Sequence, residues 1–338
     1  AEPLFRSSYF AIHPWMKDKE GIIKHLHIKD EDINENLVVD MDNPKYVIAS
    51  EHIYKDPYSF RLFKKLAQNQ DRILIFYGGE AVYPDLNIFD YAIGFSRNTV
   101  DNGRVSRIPI LCFFENTMIR NMDRNELTRE EAKRELLKRK NKFCNFMYSN
   151  ALAHPMRDTL FYEISKYKQV ESTGKHLNNT GVTSTRENKN WAKLSVEIKK
   201  PYKFVIAAEN AAFEGYTSEK IITSFQAHAI PIYWGNPIVN KDFNPEAYIN
   251  VGDFENNAEL IRYIEEVDNN DELWADIVSA PWQTAEQIEK MKIEDIEYQC
   301  FIKKIFMSPN KIMRPAGTFI DVYEEWFYRQ YKKPSIDS

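Results

Sequence analysis

Charged and polar residues follow an apolar run, Phe204 to Ala208, in the second half of the sequence. They are, in order, Glu209, Asn210, Gly215, Tyr216, Thr217, Ser218, Glu219 and Lys220. Apolar periodicity then resumes and predicts a helix from Glu219 to His228, capped by Thr217 or Ser218. A helix N-terminus offers free N–H groups and a positive dipole end to a phosphate, and Lys220 in the first turn is best explained by an anion beside it. The pattern therefore predicts a diphosphate or anionic ligand, although no Walker loop or G-x-G-x-x-G is present, and an ordinary capped helix is the alternative.

A second segment with possible catalytic chemistry lies in the first half of the sequence, where Gly78-Gly79-Glu80 follows the apolar run Ile73 to Tyr77. Two glycines allow a sharp turn that brings Glu80 to the edge of a sheet. A carboxylate placed there can take a proton from a substrate hydroxyl. Taken alone, however, a loop glutamate is more often a solvated charge.

A third pattern, Asp40-Met41-Asp42, is an acidic triplet of the kind that holds Mn²⁺ or Mg²⁺ against a nucleotide diphosphate. It would make the protein a metal-dependent, GT-A-like glycosyltransferase. Asn43 and Pro44 come next and favour an Asx-type turn at this point. We therefore expect no strictly required metal and no other cofactor.

The elements that must position these residues alternate between short apolar runs and longer helical stretches. Strands are predicted at Tyr9–Ile12, Tyr46–Ala49, Ile73–Tyr77, Phe204–Ala208 and Ile230–Trp234, and helices at Phe60–Ala67, Ala132–Lys142 and Glu219–His228. The helix after residue 131 follows a capping box formed by Thr128 and Glu131. The βαβ rhythm occurs once before residue 115 and again after residue 155, so the sequence predicts an α/β protein with two Rossmann-like domains.

Composition excludes several classes of protein. The chain has 338 residues, with 45 basic and 50 acidic side chains that give a net charge of −5. This acidic balance argues against a nucleic-acid partner, and three widely spaced cysteines argue against a disulfide framework or a zinc module. No apolar run approaches the ~20 residues that span a bilayer, and no secretory signal is recognisable. We expect a cytoplasmic protein, at most peripherally attached to the inner face of a membrane.

The run ENAAFEGYTSEKIITSFQAHAIPIYWGNP, residues 209 to 237, resembles the signature of the α-1,3/1,4-fucosyltransferases, glycosyltransferase family 10. In that family Phe-Glu-Asn, Tyr-Val-Thr-Glu-Lys, a helix and Pro-Ile/Val-Tyr-Trp/Tyr-Gly follow one another. Similarity to the bacterial members continues in segments 86–96, 142–150, 154–161 and 241–251, so it covers about residues 45 to 255. The sequence departs from the pattern at Ala208, where an aromatic is frequent, at Thr217-Ser218, and at Ala81, where Asn or Ser is frequent.

The resemblance implies a GT-B fold, in which an acceptor domain and a donor domain face each other across a cleft that holds GDP-L-fucose. It implies inverting transfer of fucose to a GlcNAc or Glc hydroxyl of a lactosamine- or lactose-type oligosaccharide acceptor. Arg157 and Lys220 would contact the diphosphate, and Asn210, Tyr216 and Glu219 would surround the fucose and the ribose. The family places its base in a Gly-Glu step, which matches Glu80. A non-catalytic nucleotide- or carbohydrate-binding module is the remaining alternative.

The resemblance and the βαβ rhythm together predict three regions. Residues 1–150 would form the acceptor domain, 151–310 the donor domain, and 311–338 a helical segment that packs back across both. Trp15, just after the first predicted strand, is a candidate for stacking on an acceptor sugar. The sequence does not indicate the oligomeric state.

Overall fold

The structure, a computed structural model, describes residues 7–12, 16–54, 56–97, 103–108, 128–181, 191–307 and 314. These residues fall into two compact units. The first unit takes in the chain up to Thr117 and again from Ile293 onwards, and the second unit takes in Met118–Lys292. Each unit is built around its own parallel sheet.

Within the described part of the first unit, six parallel strands form one sheet in the order β2-β1-β3-β4-β5-β6. The strands are β1 (Ser7–Ile12), β2 (Leu37–Val39), β3 (Tyr46–Ala49), β4 (Ile73–Tyr77), β5 (Tyr91–Gly94) and β6 (Val105–Arg107). Every residue of β3 and β4 is buried, as expected for central strands that are covered on both faces. All strands run the same way, so their carboxyl ends lie at one edge of the sheet.

Three helices of the first unit precede or connect these strands. They are α1 (Lys19–His25), α2 (Glu31–Asn36) and α3 (Pro57–Ala67). Helix α3 begins three residues before the predicted start at Phe60, because Asp56 accepts hydrogen bonds from the N–H groups of Tyr58 and Ser59 and Pro57 occupies the first turn. Its apolar side packs Phe63 and neighbouring residues against the sheet.

The second unit holds a five-stranded parallel sheet, among the residues described, in the order β11-β10-β9-β7-β8. The strands are β7 (Lys142–Phe146), β8 (Val170–Ser172), β9 (Tyr202–Ala208), β10 (Ile230–Trp234) and β11 (Ile249–Asn250). The helices are α4 (Met156–Tyr167), α5 (Trp191–Lys199), α6 (Glu219–Gln226), α7 (Asn257–Asn269) and α8 (Asp271–Ser279). The predicted strands Phe204–Ala208 and Ile230–Trp234 and the predicted helix Glu219–His228 are confirmed to within two residues. The α/β prediction with two parallel sheets is therefore correct.

The last described helix, α9 (Ala285–Met307), passes from the second unit into the first, since the boundary falls between Lys292 and Ile293. Its C-terminal half inserts apolar side chains into the core of the first unit. They are Tyr298, Phe301, Ile302, Ile305 and Phe306. The Tyr298 hydroxyl also donates to the backbone oxygen of Leu26 at 2.6 Å. Residues 293–307 therefore belong to the first unit, which corrects the predicted second domain of 151–310.

The predicted boundary at residue 150 also differs from the structure, because β7 is hydrogen-bonded between β8 and β9 and so belongs to the second unit.

The helix predicted at Ala132–Lys142 is wrong over its second half, because the chain enters β7 at Lys142. The capping box of Thr128 and Glu131 is present, but the chain passes from one α-helical turn, Arg129–Glu131, into a π-helical turn, Ala132–Leu136. Lys142 is then the first residue of a strand, since Phe143 and Cys144 are needed in the core.

No helix in the described ranges is both long and apolar enough to cross a membrane. Of the predicted segment 311–338, only Arg314 is described, so its predicted packing lies outside the described residues. Arg314 is buried and pairs with the fully buried carboxylate of Asp90.

Candidate functional site

Three neighbouring strands of the second unit, β7, β9 and β10, end at one edge of the sheet and supply the polar residues there. Tyr148 and Arg157 follow β7, Glu209 and Asn210 follow β9, and Gly235 follows β10. The carboxyl edge of a parallel sheet is where open α/β proteins bind ligands. Most of the residues predicted from the sequence to hold a donor are thus gathered at this edge.

Glu209 is the centre of this group, and its role was missed by the sequence analysis. It has no exposed surface, and its two carboxylate oxygens accept the N–H of Ser218 at 2.7 Å and the Ser218 hydroxyl at 2.6 Å. It also accepts a hydrogen bond from Nζ of Lys220 at 3.1 Å. The available signal was its place in the Glu-Asn pair directly after an apolar strand.

Lys220 lies in the first turn of α6 and is held by two partners. Its Nζ donates to Glu209 and, at 2.8 Å, to the Ser218 hydroxyl, while the Glu219 carboxylate lies 3.9 Å away. Burial alone would lower the pKa of Lys220, but the carboxylates of Glu209 and Glu219 outweigh burial and raise it. The lysine is therefore held charged and in a fixed position beside the helix N-terminus.

Ser218 occupies the N-cap position of α6, but its side chain does not cap the helix. The predicted capping role is wrong, because the hydroxyl is turned towards Glu209, to which it donates, and its oxygen accepts Nζ of Lys220. Thr217 does not cap either: its hydroxyl oxygen accepts hydrogen bonds from Asn236 Nδ2 at 3.1 Å and from the Tyr233 hydroxyl. The hydroxyls of Thr217 and Ser218 are thus engaged in fixing the loop before α6 and do not cap the helix.

Gly235 explains how a buried carboxylate fits at the end of β9. Its φ is +150°, a region that favours glycine, and a Cβ built on it would lie 2.5 Å from Cγ of Glu209. Asn236, the next residue, accepts the N–H of Gly215 at 2.9 Å. The turn after β10 therefore packs directly against Glu209 and braces the loop before α6.

Arg157 lies in the first turn of α4 and is almost completely buried. Its Nη2 donates to the backbone oxygen of Ala208 at 3.1 Å and to Oδ1 of Asn210 at 2.8 Å. The guanidinium lies over the ring of Tyr148, 4.0 Å from its centroid. Nε of Arg157 is buried without an acceptor in the described part of the chain.

Tyr148 connects the two cations of the site. Its hydroxyl donates to the backbone oxygen of Ile206 and accepts the N–H of Ala208, both at 2.7 Å. Burial raises the pKa of this phenol to about 12, although the charges of Arg157 and Lys220 both act in the opposite direction. The charges of Arg157 and Lys220 thus both act on this buried phenol, and the site carries two positive charges.

The remaining predicted donor residues lie in the same loop. Asn210 is partly exposed and holds Arg157, Tyr216 is buried after Gly215, and Glu219 is partly exposed at the start of α6. With Glu209, the group contains two carboxylates and two cations. An arrangement of this kind can bind an anion at Lys220 and the helix N-terminus while Glu209 and Asn210 keep both cations in place.

Glu80, the predicted base, lies at the corresponding edge of the first unit. It is partly exposed in the turn after β4. The turn is fixed at Gly78, whose N–H donates to the backbone oxygen of Ile93 at 2.7 Å, and at Gly79, whose N–H donates to Oε2 of Glu51 at 3.3 Å. The predicted sharp turn is thus present, and it places Glu80 at the carboxyl end of a central strand.

The acidic triplet of the first half forms the turn expected for it. Oδ1 of Asp40 accepts the N–H groups of Asp42 at 3.1 Å and of Asn43 at 2.9 Å. No cluster of three potential metal ligands occurs in the residues that the structure describes. Trp15, the candidate for acceptor stacking, lies outside them.

The two parallel α/β sheets, each with polar side chains at its carboxyl edge, agree with the fold predicted for a glycosyltransferase of the GT-B class. Residues 137–312 match the model of "Glycosyltransferase family 10 (fucosyltransferase) C-term", and residues 23–114 match that of "Alpha-(1,3)-fucosyltransferase FucT N-terminal domain". The chain belongs to glycosyltransferase family 10, as the sequence motifs indicate.

Individual relatives agree with this assignment. The chain is 31% identical over 240 residues to the alpha-(1,3)-fucosyltransferase FucT of Helicobacter pylori, which covers 64% of this chain and 48% of that protein. It is 38% identical over 149 residues to a protein of Acanthamoeba polyphaga mimivirus, which covers 43% of this chain and 24% of that protein. The chain therefore spans half or less of the length of these relatives, and relatives are not confined to bacteria.

A solved structure shares the fold over almost the whole chain. The crystal structure of an alpha1,3-fucosyltransferase with GDP superposes with a TM-score of 0.67 at 24% identity and covers 93% of this chain and 94% of that one. The agreement extends to both parallel sheets.

Proposed function

We propose that this protein is an inverting fucosyltransferase that moves L-fucose from GDP-fucose to a GlcNAc or Glc hydroxyl of a lactosamine- or lactose-type acceptor. The linkage formed would be α-1,3, with α-1,4 transfer on suitable acceptors. The observation that carries the proposal is the fixed, charged Lys220 at the N-terminus of α6, bonded to the buried Glu209. The GDP bound in the related crystal structure is the kind of ligand that this arrangement suits.

In this proposal the second unit binds the donor. Lys220 and the N–H groups of α6 would contact the diphosphate, and Arg157 would add its charge from behind Asn210. Tyr216, Asn210 and Glu219 would surround the fucose and the ribose. Negative charge on GDP grows as it leaves, so fixed cations stabilise the transition state more than the ground state, which accelerates transfer.

The first unit would bind the acceptor, with Trp15 as a stacking residue, and Glu80 would act as general base. The acceptor oxygen forms a bond to C1 of fucose while Glu80 takes the hydroxyl proton. The bond from C1 to the β-phosphate oxygen breaks, its electron pair leaves with GDP, and attack from the opposite face inverts the configuration. The counter-charge comes from side chains and a helix N-terminus, so no divalent ion is required.

Incubation with GDP-fucose and a panel of lactose, lactosamine and type 1 chain acceptors tests the proposal. We expect GDP release coupled to a fucosylated product with inverted anomeric configuration by NMR, unaffected by EDTA. Turnover of a UDP-sugar with no fucose transfer, or activity that EDTA abolishes and Mn²⁺ restores, would refute the assignment. Tight GDP-fucose binding without transfer to any acceptor would instead support a non-catalytic binding module.

A further inference from the structure

A second carboxylate lies at the same edge of the first unit as Glu80. Glu51 is the first residue of a 3-10 turn, Glu51–Tyr54, that follows β3, and Glu80 follows β4. These strands are adjacent and parallel, with Ala49 in register with Phe76. The carboxyl ends of the two strands therefore bring the two glutamates to neighbouring turns.

Glu51 is enclosed and is directly bonded to the turn that carries Glu80. Only 3% of Glu51 is exposed. Its Oε2 accepts the N–H of Gly79, and a Cβ built on Gly79 would lie 3.8 Å from its Oε1, so the carboxyl group packs against this glycine. The hydrogen bond from Gly79 to Glu51 thus restrains the turn together with the bond from Gly78 to Ile93.

Burial and neighbouring groups shift the pKa of Glu51 in opposite directions. Burial raises its pKa, the Gly79 N–H and the nearby His52 lower it, and the charge of Glu80 raises it again. His52 Nδ1 lies 3.6 Å from Oε1 of Glu51 and 3.0 Å from the Ser50 hydroxyl. Burial, and then the charge of Glu51, raise the pKa of the Tyr77 phenol.

We propose that Glu51 is a positioning residue for Glu80: its hydrogen bond to Gly79 fixes the turn that aims Glu80 at the acceptor. This inference rests on the proposed role of Glu80 as general base. It accounts for a buried carboxylate that no part of the donor site requires. Because Glu51 is enclosed, it contacts the turn and not the substrates.

Two variants separate the effect of the hydrogen bond to Gly79 from that of the charge of Glu51. Glu51→Ala removes the hydrogen bond and the charge, and misplacement of the base should lower kcat by about tenfold or more with the GDP-fucose KM unchanged. Glu51→Gln keeps an acceptor for Gly79 and removes only the charge, so kcat at neutral pH should return to within a few-fold of the natural protein. Asp85→Asn, which removes a carboxylate that accepts the N–H of Asn87 at 2.8 Å, is the matched control.

A readout independent of turnover is the backbone amide signal of Gly79 in ¹H–¹⁵N NMR, which reports on the hydrogen bond to Glu51. We expect this signal to shift in Glu51→Ala and to stay close to its natural position in Glu51→Gln and in Asp85→Asn. Full kcat in Glu51→Ala, or a kcat in Glu51→Gln as low as that of Glu51→Ala, would overturn the inference. If the natural protein transfers no fucose at all, the proposed function fails, whereas the Gly79 signal still decides whether Glu51 holds the turn.

Discussion

Replacing Lys220 tests whether its charge serves the fold, the donor or both. In Lys220→Met the ammonium that donates to Glu209 at 3.1 Å and to Ser218 at 2.8 Å is lost. Glu209 has no exposed surface, so its carboxylate would remain buried without a counter-charge. Breaking a buried ion pair from one side typically costs 3–5 kcal/mol, and we expect about 3 kcal/mol here because both hydrogen bonds from Ser218 remain.

The double variant Glu209→Gln with Lys220→Met distinguishes the two roles. Removing both charges of a buried pair is often nearly neutral, so the free energy of unfolding should recover to within about 1–2 kcal/mol of the natural protein. The glutamine oxygen can still accept the Ser218 N–H. Fucose transfer should not recover, because loss of a transition-state charge contact costs about 2.7–4 kcal/mol, or a factor of 10² to 10³ in kcat.

Urea unfolding followed by tryptophan fluorescence reports on the relevant unit, since four of the six tryptophans lie in it. These are Trp191, Trp234, Trp274 and Trp282. Steady-state kinetics with GDP-fucose would be measured on the same samples. Recovery of both stability and transfer in the double variant would mean that Lys220 is purely structural and that the diphosphate assignment is wrong. An unchanged urea midpoint in Lys220→Met would refute the argument from burial.

Three further substitutions have defined outcomes. Glu80→Gln should lower kcat by about 100-fold or more while calorimetry shows unchanged GDP-fucose affinity; a near-normal kcat would mean that another carboxylate of the first unit is the base. Arg157→Lys should destabilise the second unit by about 3 kcal/mol and raise the donor KM. The reason is that an ammonium cannot reproduce the paired hydrogen bonds and the stacking on Tyr148. A urea midpoint and KM like those of the natural protein would contradict this. Gly235→Ala should cost about 2–3 kcal/mol in urea unfolding, since its Cβ would overlap Glu209, and a stable, active variant would show that the turn can move.

The strands that frame both sites could be predicted because each is a short, continuous apolar run. The runs at residues 46–49, 73–77 and 230–234 coincide with β3, β4 and β10. Buried parallel strands have this pattern whatever their neighbours are. The family motif likewise placed Asn210, Glu219 and Lys220 in one loop and the helix turn that follows it, because they are close in sequence.

The structure corrected those expectations that depended on distant parts of the chain. Lys142 begins a strand instead of ending a helix, because Phe143 and Cys144 fill the core of the second unit beside Phe204. The domain limits moved for a similar reason, since the apolar side of α9 after residue 293 packs on the first sheet. A capping residue was misassigned where a buried carboxylate competed for the same hydroxyl.

The sequence by itself determined the α/β class, the family and the segment that carries most of the proposed donor residues, since local apolar patterns and a contiguous motif encode them. Tertiary structure decided which groups those residues contact. Lys220 pairs with Glu209, 11 positions away in the sequence. Arg157 donates to Asn210, 53 positions away, and Gly79 donates to Glu51, 28 positions away. Such contacts depend on adjacent strand ends meeting at one sheet edge, and the order of strands in a sheet is set by packing of the whole chain and not by any local pattern.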